Sequence, residues 1–174
     1  MKQFKKPLWM LGISAVVLCL SAPSAHAGSA ASSFTATASV VATCTISTAN
    51  LAFGNYDPIT TNATTPLDVN GSVTITCTKG ASTYIDLNPG AHAANAVGTT
   101  RAMALGTTDY LSYELYQDSA HTTVWGVGNP GNAFVPPVAP SKTARAFPIY
   151  GRIPAGQGST VGSYTDTVTA SVNF

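Results

Sequence analysis

Charged side chains are scarce in this sequence. Only 9% of its 174 residues are Asp, Glu, Lys or Arg, whereas about a quarter is usual in globular proteins. A nucleic-acid surface needs clustered positive charge, which is lacking here, and no basic run indicates an anionic membrane as partner. Few charges also leave exposed sheet edges poorly protected, which fits a surface that is covered in an assembly.

Residues that carry chemistry are equally few. The three histidines, His26, His92 and His121, stand apart from one another, and neither an H-E-x-x-H nor a G-x-S-x-G pattern occurs. Asp109 and Glu114 lie five residues apart on a predicted strand, so their side chains point to opposite faces and do not form an acid–base pair. The sequence therefore predicts no catalytic residue, metal site, cofactor or small-molecule substrate.

The first segment has the pattern of a secretory signal peptide. Lysines precede an apolar stretch at residues 8–20, and small residues stand before Ala27, where cleavage is expected. The apolar stretch is short for a membrane span, although an uncleaved anchor is the alternative. Residues 1–27 are thus predicted to be removed, and the remaining 147 of 174 residues suit one domain.

Two cysteines remain after this cleavage, Cys44 and Cys77. An exported chain meets an oxidising compartment, so a disulfide between them is predicted. The alternative, a zinc site, lacks the paired C-x-x-C spacing that such sites need. Removing three of the eight basic residues also leaves five against seven acidic ones, a net charge near −2.

Hydrophobic and polar residues alternate along several stretches, most clearly at 34–43, 69–77 and 167–174. Alternation with Thr and Val enrichment is typical of half-buried β-strands. Glycine and proline clusters separate these stretches, and no helix-length amphipathic segment follows residue 27. An all-β sandwich or barrel is therefore predicted, with strands at 34–47, 67–78, 82–88, 110–117, 122–126, 144–153 and 164–174.

Short motifs in a specific order resemble the spore coat protein U domain family, whose members include subunits of archaic chaperone–usher pili. The matching pieces lie at 44–46, 51–56, 75–77, 101–103, 110–116, 125–126, 148–157 and 162–168. The resemblance covers the mature chain and implies an immunoglobulin-like pilin β-sandwich that lacks its final strand. It divides the mature chain into an N-terminal extension at 28–43 and a sandwich domain at 44–174.

The resemblance further implies how such a subunit is completed. A periplasmic chaperone fills the open groove first, and the N-terminal extension of an identical or related subunit replaces it, with an outer-membrane usher as a further partner. The expected donor residues, preceded by a flexible leader, are Phe34, Ala36, Ala38 and Val40. The expected acceptor and chaperone edge lies on the last strand, before the chain stops, at Tyr164, Val168, Ala170, Val172 and Phe174.

Fimbriae of this kind are exported through the periplasm to the cell surface, and the resemblance implies a role in attachment and biofilm formation. A spore or cell-coat structural protein and a single-domain adhesin are the alternatives. Residues 34–43 are alternatively an ordinary first strand of their own sheet. Arg101 and Arg152 are expected to form structural ion pairs with Asp109, Glu114 or Asp166.

Overall fold

The computed structural model describes residues 27–174, so the predicted signal peptide, apart from Ala27, lies outside the described residues. The chain divides into two units, 1–38 and 39–174. The described part of the first unit, residues 27–38, contains no helix or strand. Within the described residues no helix is long and apolar enough to cross a membrane.

Antiparallel strands make up nearly all of the regular structure in the 39–174 unit. Five of them form one sheet in the order β1-β2-β6-β5-β4, and β3 pairs with β7 in a second sheet. The predicted all-β sandwich is therefore confirmed. The strands are β1 (Cys44–Thr48), β2 (Leu67–Cys77), β3 (Tyr84–Leu87), β4 (Arg101–Leu105), β5 (Asp109–Tyr116), β6 (Arg145–Ile153) and β7 (Ala170–Asn173).

The core lies between these sheets and follows the predicted alternation. In β2, Val73, Ile75 and Cys77 are buried while the residues between them are partly exposed. Trp125 is fully buried, and its indole N–H donates to the carbonyl of Ile85 at 2.9 Å. The period-two pattern therefore marks one buried face per strand.

The disulfide between Cys44 and Cys77 is present, as predicted. These residues are register partners, so the bond ties the first residue of β1 to the last residue of β2. The pairing continues one step outward, because Thr78 N–H donates to the Thr43 carbonyl at 2.9 Å and Thr43 N–H donates to the Thr78 hydroxyl at 3.1 Å. Residues 41–43 thus extend along the line of β1.

Three strand predictions are wrong in extent. The first strand starts at Cys44 rather than at residue 34, and no ladder forms within residues 27–43. The stretch 122–126 has only one bridge, between Val124 and Tyr116. The last strand is regular only from Ala170 to Asn173, because the preceding residues lack a continuous partner.

The sequence also failed to predict β4. Its residues, Arg-Ala-Met-Ala-Leu, do not alternate between polar and apolar. Arg101, Ala102 and Ala104 are all buried, so both faces of the strand are covered and the period-two signal disappears.

Candidate functional site

A groove lies between the stretch of chain that follows β1 and the stretch that precedes β7. It consists of two adjoining cavities of about 460 and about 590 Å³. The first is bordered by parts of 48–53 and 164–170, and the second by parts of 51–58 and 159–164. Core residues of the strands complete the lining: Leu87, Met103, Leu111, Tyr113, Leu115, Ile149 and Ile153.

The 164–170 side of the groove has unpaired backbone groups. Thr165 exchanges two backbone hydrogen bonds with Ala104 at 2.9 and 3.0 Å, and the Thr169 carbonyl accepts from Asn88 N–H at 3.0 Å. Alternate residues of an extended chain direct their backbone groups to opposite sides. The residues between, including Asp166 and Val168, therefore direct theirs toward the groove, and these have no backbone partner within residues 27–174.

Side chains along the same stretch alternate as well. Tyr164, Asp166 and Val168 are half-buried, whereas Thr165 and Thr167 are exposed. The stretch is thus an extended strand with one buried face and one free edge, and buried backbone groups without partners are costly. It can accept a further strand without rearrangement of its core-facing side chains.

The opposite side of the groove is formed by residues 49–56, which are not in any assigned strand. The backbone of residues 51–55 makes no backbone hydrogen bond to the described chain. Leu51 and Phe53 pack instead on glycines of the sheet: a Cβ on Gly71 would lie 2.6 Å from Leu51, and one on Gly151 would lie 2.9 Å from Phe53. The two glycines therefore allow this wall to lie close against β2 and β6.

One end of the groove is fastened by Tyr56 and Gln157. The Tyr56 hydroxyl donates to the Pro154 carbonyl at 2.8 Å and accepts from Gln157 N–H at 3.0 Å. The β5–β6 register, continued past Ile153, places Pro154 opposite Ser112. Proline has no N–H, and the Gln157 amide pairs with both Ser112 N–H and C=O at 2.8 Å. This side chain replaces the missing backbone partner.

Asp166 is the only residue with a full charge among the groove-lining residues described. Its carboxylate accepts from the Tyr113 hydroxyl at 2.7 Å and from Ala91 N–H at 2.8 Å. Burial, and then the hydrogen bond to Asp166, raises the pKa of Tyr113 well above its ordinary value. The phenol stays protonated and holds the free-edged stretch against β5.

A buried ion pair lies beside the groove floor. Arg101 is 1% exposed and contacts Glu114, which is 2% exposed. The other guanidinium nitrogens donate to the carbonyls of Leu87, Asn88 and Trp125 at 2.7 to 3.1 Å. The second carboxylate oxygen of Glu114 accepts two hydrogen bonds from Thr100 at 2.7 Å. Of the partners predicted for Arg101, the structure selects Glu114.

Arg152 pairs with Asp68, which was not among its predicted partners. Its Nε and Nη2 each donate to the Asp68 carboxylate at 2.7 Å. Arg152 thereby lowers the pKa of Asp68. The side chain of the nearby His121 is only 8% exposed, and its ring meets Tyr116 edge to face. Among residues 27–174 no group of three potential metal ligands occurs.

The predicted site residues fall into two sets. Tyr164, Val168 and Ala170 line the groove, Val172 is half-buried in β7, and Phe174 is 59% exposed. The predicted donor residues lie on a stretch without a strand, where Phe34 is 91% and Val40 is 84% exposed; Ala36 and Ala38 are exposed too.

The wall at residues 49–56 was missed as part of the site. Its alternation of Leu51, Phe53 and Asn55 is too short and too mixed to predict a strand. The spacing of Gly71 and Gly151 on neighbouring strands becomes meaningful only once β2 and β6 are paired.

The two sheets and the free-edged groove define a pilin-type β-sandwich. The chain belongs to the Spore Coat Protein U domain family, whose model matches residues 30–171. It is 32% identical to "Protein U" of Myxococcus xanthus in an alignment 163 residues long, which covers 86% of this chain and 88% of that protein.

A solved structure shares the fold. It is the chaperone–tip adhesion subunit pre-assembly complex, CsuC-CsuE, from the archaic chaperone–usher Csu pili of Acinetobacter baumannii. The TM-score is 0.55 at 24% identity, over 78% of this chain and 40% of the matched chain. This chain thus spans about two fifths of the length of that chain.

Proposed function

We propose that this chain is a structural subunit of an extracellular chaperone–usher type fimbria and has no catalytic role. The observation that carries the proposal is the groove, which is bordered on both sides by chain with unpaired backbone groups. An added strand would satisfy these groups while its alternate side chains enter the cavities. Strand addition of this kind combines main-chain hydrogen bonding with side-chain pockets.

The donated strand is the 34–40 segment. Phe34 and Val40 are large apolar side chains that stand almost fully exposed. Burying each would stabilise the assembly by roughly 1.5–3 kcal/mol. Phe34, Ala36, Ala38 and Val40 alternate with polar residues, so one face of the segment is apolar throughout.

The recipient is a second copy of the chain or a related subunit. Residues 41–43 continue the line of β1 outward and are hydrogen-bonded to Thr78. They leave from the end of β1 opposite to the one that leads into the groove wall at 49–58. This exit direction, fastened by the disulfide at Cys44, disfavours a return into the chain's own groove.

Before assembly the groove needs a temporary occupant. The similar A. baumannii structure is a complex of a subunit with a chaperone. A periplasmic chaperone strand along 164–172 would cover the same free edge and protect it from aggregation. An outer-membrane usher, export to the cell surface, and a role in attachment and biofilm formation belong to the same proposal.

The decisive experiment compares the intact chain with a variant lacking residues 28–40. Purified chain is expected to form SDS-resistant ladders and fibres, visible by gel and electron microscopy, and the shortened chain is expected to stay monomeric. A Thr35→Ala, Thr37→Ala variant serves as the matched control, because it changes only the polar face and should polymerise. Polymerisation of the shortened chain would contradict the proposal.

A coat structural protein is the second candidate, favoured by the description of the family, Spore Coat Protein U domain, whose model matches residues 30–171. It would share the fold without strand donation. An intact chain that stays monomeric after purification, or whose assembly ignores residues 34–40, would move this candidate to first place. A single-domain adhesin would then be tested by binding of the monomer to surfaces.

A further inference from the structure

The groove is not uniform along its length. Its two cavities share four lining residues: Leu51, Phe53, Met103 and Tyr164. All four have large side chains and are half-buried. They stand where one cavity ends and the other begins, and we call these four residues the neck.

The cavities on either side of the neck follow one another along the groove. On the free-edged side, one cavity is lined by residues 159–163 and the other by residues within 165–170. On the facing wall, the same two cavities are lined by residues within 51–58 and within 48–53. A strand lying along the groove would therefore pass one cavity, then the neck, and then the other cavity.

The donor segment carries large and small side chains in a matching order. Phe34 and Val40 are six residues apart and carry the large side chains, while Ala36 and Ala38 between them present only methyl groups. The order along the apolar face is therefore large, small, small, large. Along its length the groove has one cavity, then the neck, and then the second cavity.

We propose that the neck fixes the donor register: Phe34 and Val40 occupy the two cavities, and Ala36 and Ala38 cross the neck. This inference rests on the proposed strand donation and adds the residues that set its specificity. Register on one face changes in steps of two residues. A shift of one step brings a large side chain toward the neck and leaves a methyl group in a cavity. The pattern holds for either direction of the donor strand.

The two alanines are thus a requirement of the groove rather than weak anchors. Protein interiors are packed so closely that added methylene groups cause strain and destabilise the packing. A leucine at either alanine would meet the side chains of the neck. A leucine on the opposite face of the donor would not.

The test compares Ala36→Leu and Ala38→Leu with Thr37→Leu in the full chain. The two alanine variants are expected to form ladders at least 10-fold more slowly than wild type, whereas Thr37→Leu should polymerise normally. Phe34→Ala and Val40→Ala should each weaken donor binding by roughly 10- to 100-fold, since each empties a cavity. Wild-type rates for both alanine variants would overturn the register.

A second variant shows whether slow polymerisation of the Ala38→Leu chain comes from a blocked neck or from misfolding of that chain. Met103→Ala removes one side of the neck and should restore ladder formation to the Ala38→Leu chain, while Met103→Ala alone serves as the folding control. A synthetic peptide of residues 32–42 should still bind the groove of the Ala38→Leu chain, because its acceptor side is unchanged. No rescue by Met103→Ala would contradict the assignment of the neck.

The outcomes also distinguish this inference from the proposed function. If the chain lacking residues 28–40 still polymerises, strand donation itself fails. If that chain stays monomeric but leucine at positions 36 and 38 is tolerated, strand donation stands and the register assigned to the neck is wrong.

Discussion

The Arg101–Glu114 site and the groove lie next to each other but differ in whether their polar groups have hydrogen-bond partners. Around Arg101 and Glu114, carbonyls, amides and hydroxyls of the same chain satisfy the buried charges. Along 51–55 and at Asp166 and Val168, backbone groups face a cavity and have no backbone partner in the part of the chain that the structure describes. The closed site leaves no capacity for a ligand, so its contribution is to stability. The open site leaves a row of donors and acceptors, so the contribution we propose for it is to assembly.

The largest effect on stability is expected from a substitution in the buried Arg101–Glu114 pair. Glu114→Ala leaves the guanidinium of Arg101 buried without its counter-charge, and the free energy of unfolding should fall by about 3–5 kcal/mol. Denaturant unfolding of the monomer measures this. The double variant Arg101→Met, Glu114→Leu should lose less than the single one, since no charge remains buried. A double variant as unstable as the single would show that the charge is not the cause.

Removal of the disulfide tests the end of β1 from which the proposed donor emerges. Cys44→Ser, Cys77→Ser opens a loop with a sequence separation of 33 residues, and the loop-entropy relation gives a loss of about 3–4 kcal/mol. Thermal unfolding under oxidising conditions is the measurement. Wild-type protein under reducing conditions should match the variant, and a difference between the two would point to packing of the sulfur atoms instead.

A methyl group at Gly151 tests the wall of the open site. It would meet Leu51 at 2.8 Å and Phe53 at 2.9 Å, so Gly151→Ala should cost roughly 1–3 kcal/mol through overpacking. Ladder formation should slow as well, because the wall is displaced. Gly158→Ala, where nothing lies within 4 Å, is the control. Equal stability of both variants would mean that the wall can move without cost.

The smallest effect on stability is expected at the surface pair of Asp68 and Arg152. The Asp68 side chain is 43% exposed. Because Arg152 lowers the pKa of Asp68, the pair's contribution is present above the ordinary carboxyl pKa and is lost as pH falls through the lowered one. Asp68→Asn should reduce stability by less than about 1 kcal/mol at neutral pH. Once the pH is below the lowered pKa of Asp68, the variant and wild type should converge; a difference that persists there would argue against ionisation.

Much of the fold could be predicted because alternation is local. The strands β2, β3, β5 and β6 were placed to within three residues at each end, and the cysteine pair followed from the oxidising compartment that an exported chain meets. The predicted strand at 164–174 shows the limit: its side chains alternate as expected, but only its last part has a partner. Side-chain periodicity reports a buried face and says nothing about which edge is paired.

The candidate site divides in the same way. Tyr164, Val168 and Ala170 lie on a stretch whose alternation predicted a strand and which the family resemblance implied to be the acceptor edge; they line the groove. The facing wall, with Leu51 and Phe53, was not predicted, because its seat on Gly71 and Gly151 depends on the pairing of β2 with β6. The choice of Glu114 over other carboxylates for Arg101 depends likewise on the β4–β5 register.

The sequence by itself therefore determined the all-β class, the scarcity of chemistry, the disulfide pair and an apolar face on residues 34–40. These properties come from residue types and their spacing, which are local. Only the tertiary structure decided that two edges face each other without partners among the described residues, and that four side chains line both cavities of the groove between them. Those features arise from contacts between residues about a hundred positions apart in the chain, such as Leu51 and Gly151, which no local pattern records.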